Sequence, residues 1–275
     1  MNTHTHTHTQ QEKDQVDRGP HQDRLLYKTN SEFHNKPKAL VESLERLRQI
    51  ASQNSEKYGV NWTNHSLCTF PIQSLARIFY YNELYRHILT IPGVICEFGV
   101  QWGAGLVSLI NLRNLYEPHN MGRVIYGFDT FEGFYGTSSA DGDLVTDGNY
   151  KTEEGYFQTL SEIANIHESF QPRPQIKRTH LVKGDASNTI DQWLDENPHA
   201  IISMAIFDMD IYQPTKNVLE KVIPRLTRGS LLVFDELNCP EFPGETKALN
   251  DVLSINKIAL RKTVYQPYSS FCVWD

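Results

Sequence analysis

The sequence predicts an α/β protein built on a mostly parallel β-sheet, and the order of its apolar and amphipathic segments carries that prediction. Short apolar runs that end near a glycine or an acid recur at residues 94–100, 123–129, 180–186, 200–210 and 230–236. Segments with helical apolar spacing separate them, at residues 105–117, 189–196 and 215–226. This alternation is typical of βαβ units, whose strands are buried on both faces. The last residues, KTVYQPYSSFCVWD, predict one or two further strands.

The chain before the first of these strands predicts a helical region. Apolar residues recur at helical spacing over residues 36–54, with charges between them. The stretch FPIQSLARIFYYNELYRHIL predicts a second helix, which Pro92 and Gly93 end. The opening stretch, MNTHTHTHTQ and the polar residues after it, predicts disorder. We therefore expect a disordered tail over residues 1–23, a helical cap over 24–92 and a core domain over 93–275.

Residues 133–155, GFYGTSSADGDLVTDGNYKTEEG, have neither a helix pattern nor a strand pattern. Long irregular loops in compact domains are usually lids or binding loops, or are disordered. Because this stretch directly follows a strand, we predict that it is a lid over a ligand site. It is called the lid loop below.

Composition and charge exclude several classes of partner. The formal net charge of -7 argues against nucleic-acid and anionic-membrane binding, which need a basic patch. No apolar run approaches the roughly 20 residues that span a bilayer, and the N-terminus lacks a signal-peptide core. The four cysteines show no metal-ligand spacing, which suits free thiols in a reducing compartment. We expect a soluble, cytoplasmic protein.

Acids and glycines recur where the predicted strands end. In open parallel sheets, ligands bind beyond the carboxyl ends of the strands. A single acid there is easily an N-cap or a surface charge, but a series along successive strands indicates a ligand site. The series comprises Glu97, Gly99, Gly103 and Gly105, then Asp129, then Gly184 and Asp185, then Asp208 and Asp210, then Asp235 and Glu236.

The stretch CEFGVQWGAG predicts a strand, a glycine turn and a helix. It lacks the third glycine of GxGxxG and the GK[ST] of a phosphate-binding loop, which argues against a nicotinamide dehydrogenase and an NTPase. Asp129 ends the next strand, where a carboxylate can accept hydrogen bonds from both hydroxyls of a ribose. The pattern therefore predicts a nucleoside-containing cofactor, and the charge of Glu97 suits a cationic one such as a sulfonium.

Four motifs, CEFGVQWGAG, YGFDTFEGF, FDMDIYQPT and FDELN with FPGET, together resemble the macrocin O-methyltransferase family of S-adenosylmethionine-dependent sugar O-methyltransferases. The resemblance runs from about residue 61 to the C-terminus. Within the family, the chain is most similar to enzymes that methylate deoxysugars carried on thymidine diphosphate. The subgroup indicated acts on the 3-hydroxyl of rhamnose in antibiotic pathways of the calicheamicin kind.

The resemblance implies a class I methyltransferase fold, a Rossmann-like, mostly parallel sheet of seven strands with an N-terminal helical cap. It implies that S-adenosylmethionine meets residues at the first four strand ends, and that Mg²⁺ is held at the last two. The implied cofactor residues are Glu97, Gly99, Gly103, Asp129, Gly184, Asp185 and Asp208. The implied metal ligands are Asp208, Asp235 and Glu236.

For such an enzyme we expect Asp208 to be catalytic, as a metal ligand and proton acceptor. A hard cation with oxygen ligands can chelate two adjacent hydroxyls and lower their pKa. Related catechol enzymes have a lysine where this chain has Ile211, so a lysine base is excluded at that position. The base otherwise stays open among the histidines. Asp210 is either a site residue or a structural one, as an N-cap or a salt-bridge partner. The histidines considered are His65, His87, His167 and His180.

Two alternative functions follow from the same residues. One is a metal-dependent O-methyltransferase of a catechol or other phenol, since a catechol is also a vicinal diol. The other is a non-catalytic S-adenosylmethionine-binding module, which would have no use for the strand-end carboxylates. The expected partner is a nucleotide sugar or a glycoside, with no nucleic acid and no membrane. Apolar residues on the N-terminal helices predict a homo-oligomer.

Overall fold

The computed structural model describes residues 24–29 and 32–275 and consists of two compact units, which meet in the chain between Pro71 and Ile72. The tail predicted over residues 1–23 lies outside the described residues. No helix in the described part of the chain combines the length and the apolarity needed to cross a membrane.

The first unit contains a strand pair followed by helices. Strands β1 (Arg24–Thr29) and β2 (Glu32–Pro37) pair antiparallel, and α1 (Lys38–Tyr58) and α2 (Trp62–Cys68) follow. In α1, the predicted apolar positions are half-buried while the charged positions between them are exposed. The strand pair was not predicted, because its sequence has no sustained alternation of apolar and polar residues.

The second unit begins with α3 (Ile72–His87) and then alternates strands with helices. The elements are β3 (Val94–Phe98), α4 (Ala104–Tyr116), β4 (Ile125–Asp129), α5 (Tyr156–Glu168), β5 (Thr179–Lys183), α6 (Ala186–Glu196), β6 (Ile202–Phe207), α7 (Tyr212–Val222), β7 (Leu226–Phe234), α8 (Gly244–Leu253) and β8 (Ser270–Val273). The sheet order is β5-β4-β3-β6-β7-β8, and only β8 runs antiparallel to its neighbour. The predicted α/β class and mostly parallel sheet are confirmed.

The sheet has six strands, where the family resemblance implied seven. The difference lies before β8, where residues 254–269 form no strand. A single antiparallel bridge joins Arg261 to Phe271, with backbone hydrogen bonds of 2.8 Å in both directions. Within residues 254–269, pairing with β8 is therefore reduced to this one bridge.

Helices cover both faces of the sheet and enclose two apolar cores. On one face, α3, α4 and α5 contribute residues such as Leu84, Leu109 and Leu160. On the other, α6, α7 and α8 contribute residues such as Trp193 and Val218. Burial on both faces explains the continuous apolar runs of the central strands, since neither side of a strand meets water.

Four neighbouring strands end in the same residue type at the same level. Phe98 of β3 is in register with Phe128 of β4 and Phe207 of β6, and Phe207 is in register with Phe234 of β7. Their ring centroids are 4.7 to 5.4 Å apart, and all four side chains are fully buried. This phenylalanine row fixes the relative height of the strand ends. The residues that follow each phenylalanine therefore emerge side by side.

Candidate active site

A cavity of about 370 Å³ lies at the carboxyl ends of the strands in the second unit. It is lined by nearly all the residues that the sequence predicted for the cofactor and metal, namely Glu97, Gly99, Asp129, Gly184, Asp185, Asp208, Asp235 and Glu236. Gly103 is the exception. It precedes α4 with φ 81°, and a Cβ there would lie 2.2 Å from a methyl carbon of Leu160, so its α-carbon packs against α5.

Two other glycines keep this part of the cavity clear. Gly99 follows β3 with φ +93°, and a Cβ on it would lie 1.9 Å from the carbonyl oxygen of Asp208. Gly105, in the first turn of α4, lies beneath two polar groups: a Cβ there would be 1.9 Å from Glu97 Oε1 and 2.5 Å from the hydroxyl oxygen of Tyr81. The glycines are therefore needed for close approach of the strand ends and for space around Glu97.

Asp129 holds the glycine turn in place. One of its carboxylate oxygens accepts hydrogen bonds of 2.8 Å from the backbone N–H groups of Val100 and Gln101, and the other accepts one from Phe131. Asp185 caps α6, since its side chain accepts a 2.8 Å bond from the N–H of Ser187. Both acids thus have a role in the fold, and their contact with a cofactor stays a prediction.

A group of carboxylates gathers where β6 and β7 end. Burial, followed by the charge of Asp235, raises the pKa of Asp208 well above its ordinary value. Burial and then Glu236 do the same for Asp210, whose backbone turns with φ 61°. Burial and then Asp235 raise the pKa of Glu236 to about 7. Mutual repulsion in a poorly solvated place disfavours full ionisation of the group, so a cation would stabilise it.

Glu245, in the first turn of α8, is a further member of this group that the sequence analysis did not single out. It is fully buried, and its Oε2 accepts a 2.7 Å bond from the backbone N–H of Glu236. Three carboxylate oxygens of the group are buried with no hydrogen-bond partner: Asp210 Oδ1, Glu236 Oε2 and Glu245 Oε1. Even so, within the described residues no three His, Cys, Asp or Glu side chains converge tightly enough to hold a metal ion.

Arg77 of α3 is the one cation among the described residues that line the cavity. Its Nη2 donates to Asp208 Oδ2 at 3.1 Å and to the hydroxyl of Tyr81 at 3.3 Å. Arg77 was not among the predicted site residues, although its spacing of four residues from Tyr81 places both on one face of a helix. Five other cationic residues of the second unit could in principle meet a diphosphate, but they do not line the cavity: Lys151, Arg173, Lys177, Arg178 and Lys183.

The histidines considered as a base do not line this cavity either. His167 Nδ1 is hydrogen-bonded to Asn111 Oδ1 at 3.0 Å, and His180 stacks on Tyr126. His87 packs against Phe271. His65 belongs to α2 of the first unit. Among the candidate proton acceptors, Asp208 is the one that both lines the cavity and follows a central strand.

The lid loop contributes Gly133 and three aromatic residues, Phe134, Tyr135 and Tyr150, to the cavity lining. It is fixed near its middle by Asp141, which is fully buried. The carboxylate of Asp141 accepts hydrogen bonds from the N–H of Tyr212 and from the N–H and hydroxyl of Ser138. Asp141 therefore joins the lid loop to the start of α7, two residues after Asp210.

Replacing Asp141 with asparagine is expected to lower the free energy of unfolding by about 1–3 kcal/mol. The amide would bring N–H donors toward Tyr212 and Ser138, which are themselves donors, and would leave one of them buried without a partner. Urea unfolding at fixed pH measures the change. Asp147→Asn is the matched control, because Asp147 accepts from Thr137 at an exposed lid position and should cost less than 1 kcal/mol, about the scale of a surface substitution. Equal costs for the two variants would contradict the fixing role of Asp141.

Comparison with known proteins identifies relatives along nearly the whole chain. The sequence model of the family described as Macrocin-O-methyltransferase (TylF) matches residues 9–259. A crystal structure of CalS11, a calicheamicin methyltransferase, is 34% identical, covers 94% of this chain and 99% of its own, and superposes with a TM-score of 0.84. The apo structure of CalS11, described as a TDP-rhamnose 3'-O-methyltransferase, is 34% identical with a TM-score of 0.77 and covers 87% of this chain and 96% of its own.

A more distant structure, the O-methyltransferase NovP, is 14% identical, covers 72% of this chain and 79% of its own, and has a TM-score of 0.53. At that identity the likeness concerns the fold alone. The search of curated proteins found no match.

Proposed function

This chain belongs to the macrocin O-methyltransferase (TylF) family, and from that membership we propose that it methylates a hydroxyl of a deoxysugar carried on a nucleoside diphosphate, with S-adenosylmethionine as methyl donor. CalS11, 34% identical over 94% of this chain, acts on TDP-rhamnose at the 3' position, and we propose the same acceptor class here, in antibiotic biosynthesis. The single observation that carries the proposal is the row of carboxylates beside the glycine turn in one cavity.

The cavity suits a cationic nucleoside cofactor. Seven carboxylate side chains line it against one guanidinium: Glu97, Asp129, Asp185, Asp208, Asp210, Asp235 and Glu236 against Arg77. Glu97 is 1% exposed, and its Oε2 has no hydrogen-bond partner. An ammonium group of a ligand would donate the missing hydrogen bond to this oxygen. When bound, S-adenosylmethionine supplies an electrophilic methyl group on a sulfonium sulfur.

Mg²⁺ dependence is the second part of the proposal, with Asp208, Asp235 and Glu236 as the ligands. Carboxylate oxygens are the donors that a hard divalent cation prefers. The unpartnered Oε2 of Glu236 and the raised pKa values of Asp208 and Glu236 support a cation there, since these carboxylates lack enough positive charge of their own. A bound Mg²⁺ would supply a charge that orients a vicinal diol.

In the proposed reaction Asp208 accepts the proton of the acceptor hydroxyl. The oxygen then forms a bond to the methyl carbon while the carbon–sulfur bond breaks, and the electron pair of that bond stays on sulfur. The bond from Arg77 to Oδ2 fixes the orientation of the Asp208 carboxylate and opposes its protonation. Positioning of the two reactants supplies much of the rate, because neither substrate needs covalent activation by the protein.

A phenolic acceptor is the second candidate, and one observation favours it. Phe134, Tyr135 and Tyr150 of the lid loop give the cavity an aromatic wall. The same carboxylates would serve a catechol as well as a sugar diol.

We further propose that the protein is cytoplasmic and forms a homo-oligomer. Exposed apolar side chains of α3, such as Ile72 and Phe79, support the association of subunits.

The test uses chelator-treated protein. Calorimetric titration with S-adenosylhomocysteine measures cofactor binding, and methyl transfer to TDP-rhamnose is then followed with and without Mg²⁺. We expect micromolar binding and methylation that returns only when Mg²⁺ is added. If the protein binds S-adenosylhomocysteine but methylates a catechol and not the nucleotide sugar, the acceptor is a phenol and not a sugar. The absence of any binding would overturn the cofactor, and full activity after chelation would overturn the metal.

A further inference from the structure

The cavity contains one positive side chain, and both of the small molecules expected there carry negative groups. Arg77 faces the seven carboxylates of the lining alone among the described residues. The amino-acid part of the methyl donor has a carboxylate, and a nucleotide-sugar acceptor has a diphosphate. An anion placed in so negative a cavity is strongly disfavoured unless a cation meets it. Among the described residues, Arg77 is therefore the side chain that can meet one of these anions.

The bonding of Arg77 is incomplete within the protein. Its side chain is 36% exposed, and the carboxylate that it contacts, Asp208, is 23% exposed. The two bonds that it makes, to Asp208 and Tyr81, both come from Nη2. Its Nε is buried without a hydrogen-bond partner. A guanidinium has five N–H donors, so capacity for a ligand remains.

The surroundings of Arg77 decide between the two anions. Tyr81 and Glu97 both lie over Gly105, where a Cβ would be 2.5 Å from the Tyr81 hydroxyl oxygen and 1.9 Å from Glu97 Oε1. Arg77 contacts that same tyrosine hydroxyl, so the guanidinium and the carboxylate of Glu97 flank one small space. The positive charge of Arg77 also opposes the rise in the pKa of Glu97 that burial causes. A cation and an anion side by side match a ligand whose two charges are one carbon apart.

We propose that Arg77 binds the carboxylate of the amino-acid part of the methyl donor, while Glu97 takes its ammonium group. This inference rests on the proposed function, because it takes S-adenosylmethionine as the donor. It assigns to α3 a binding residue outside the strand-end motifs. Arg77 thereby contacts the donor on one side and Asp208 on the other, so donor binding and the orientation of Asp208 depend on the same guanidinium.

The test compares ligands that differ only in the amino-acid part. Calorimetry gives Kd values for S-adenosylhomocysteine, for its decarboxylated analogue and for 5′-methylthioadenosine, with wild-type protein and with Arg77→Met. We expect Arg77→Met to raise the Kd of S-adenosylhomocysteine about 10- to 100-fold, the scale of a lost charge-assisted hydrogen bond. The Kd of methylthioadenosine should change less than about threefold, because that ligand has neither the carboxylate nor the ammonium group. Arg86→Met, an exposed arginine on the same helix, should change neither Kd.

Each other outcome overturns the assignment. Equal weakening of all three ligands would mean that Arg77 only maintains the shape of the cavity. If the affinity for S-adenosylhomocysteine is unchanged and that for thymidine diphosphate is weakened, Arg77 binds the phosphates of the acceptor and not the donor. If Arg77→Met fails to fold, wild-type protein still decides: the decarboxylated analogue should bind at least about tenfold more weakly than S-adenosylhomocysteine. A wild-type protein that binds none of the adenosine ligands would instead refute the proposed function itself.

Discussion

Replacing Asp208 with alanine is expected to lower kcat for methyl transfer by at least about 10³-fold while the protein stays folded. The substitution removes the proposed proton acceptor, whose contribution alone is typically 10²- to 10⁴-fold, and one proposed metal ligand. The fold should survive, because the Asp208 side chain is 23% exposed and its removal relieves repulsion from Asp235 and Asp210. Steady-state rates, with circular dichroism on the same sample, measure both parts.

Two variants make the Asp208 result specific. Asp208→Asn keeps an oxygen for the bond from Arg77 but cannot accept the hydroxyl proton, so it should be nearly as inactive as the alanine variant. Asp143→Ala removes an exposed acid of the lid loop and should leave kcat within about twofold, as expected for a surface position. If the alanine variant turns over nearly as fast as the wild type, Asp208 has no catalytic role.

Replacing Gly99 with alanine is expected to lower the free energy of unfolding by about 4 kcal/mol. Two effects add: a non-glycine residue at φ +93° is strained, and its Cβ would lie 1.9 Å from the backbone oxygen of Asp208. Backbone cannot yield as a flexible side chain would, so β3 and β6 must separate at their ends. Urea unfolding at 25 °C measures the loss, and binding of S-adenosylhomocysteine should weaken with it.

Gly148→Ala separates strain from collision. Gly148 has a similar backbone angle, φ +81°, but no atom lies within 4 Å of the position that a Cβ would take. It should cost only about 1 kcal/mol, the lower end of the strain effect. If the two alanine variants are equally stable, close packing of Gly99 against Asp208 is not what requires a glycine there.

The sequence was sufficient for features that depend on neighbouring residues. Each apolar run and the acid that ends it are local, so the parallel sheet and the joint position of Asp129, Asp208 and Asp235 could be predicted. The absence of a seventh strand was harder to predict. This part of the chain still pairs with β8, but only at the single bridge between Arg261 and Phe271.

Residues that act across the fold could not be found in this way. Arg77 precedes Asp208 by 131 positions, and nothing near either residue signals that they are hydrogen-bonded. Asp141 looked like one more polar residue of the lid loop, and its burial depends on the start of α7. Glu245 was visible in the FPGET motif, yet its orientation toward Glu236 follows from how α8 packs.

The phenylalanine row has a consequence for the origin of new activities. Because Phe98, Phe128, Phe207 and Phe234 fix strand height by stacking, the four positions after them, Gly99, Asp129, Asp208 and Asp235, are held by a layer that takes no part in the chemistry. Asp208 and Asp235 can change residue type without altering the backbone beneath. Gly99 is fixed by close packing, and Asp129 is fixed by the hydrogen bonds with which it holds the glycine turn. Divergence toward another acceptor or another metal is therefore open to natural selection and to engineering at the positions of Asp208 and Asp235, one substitution at a time.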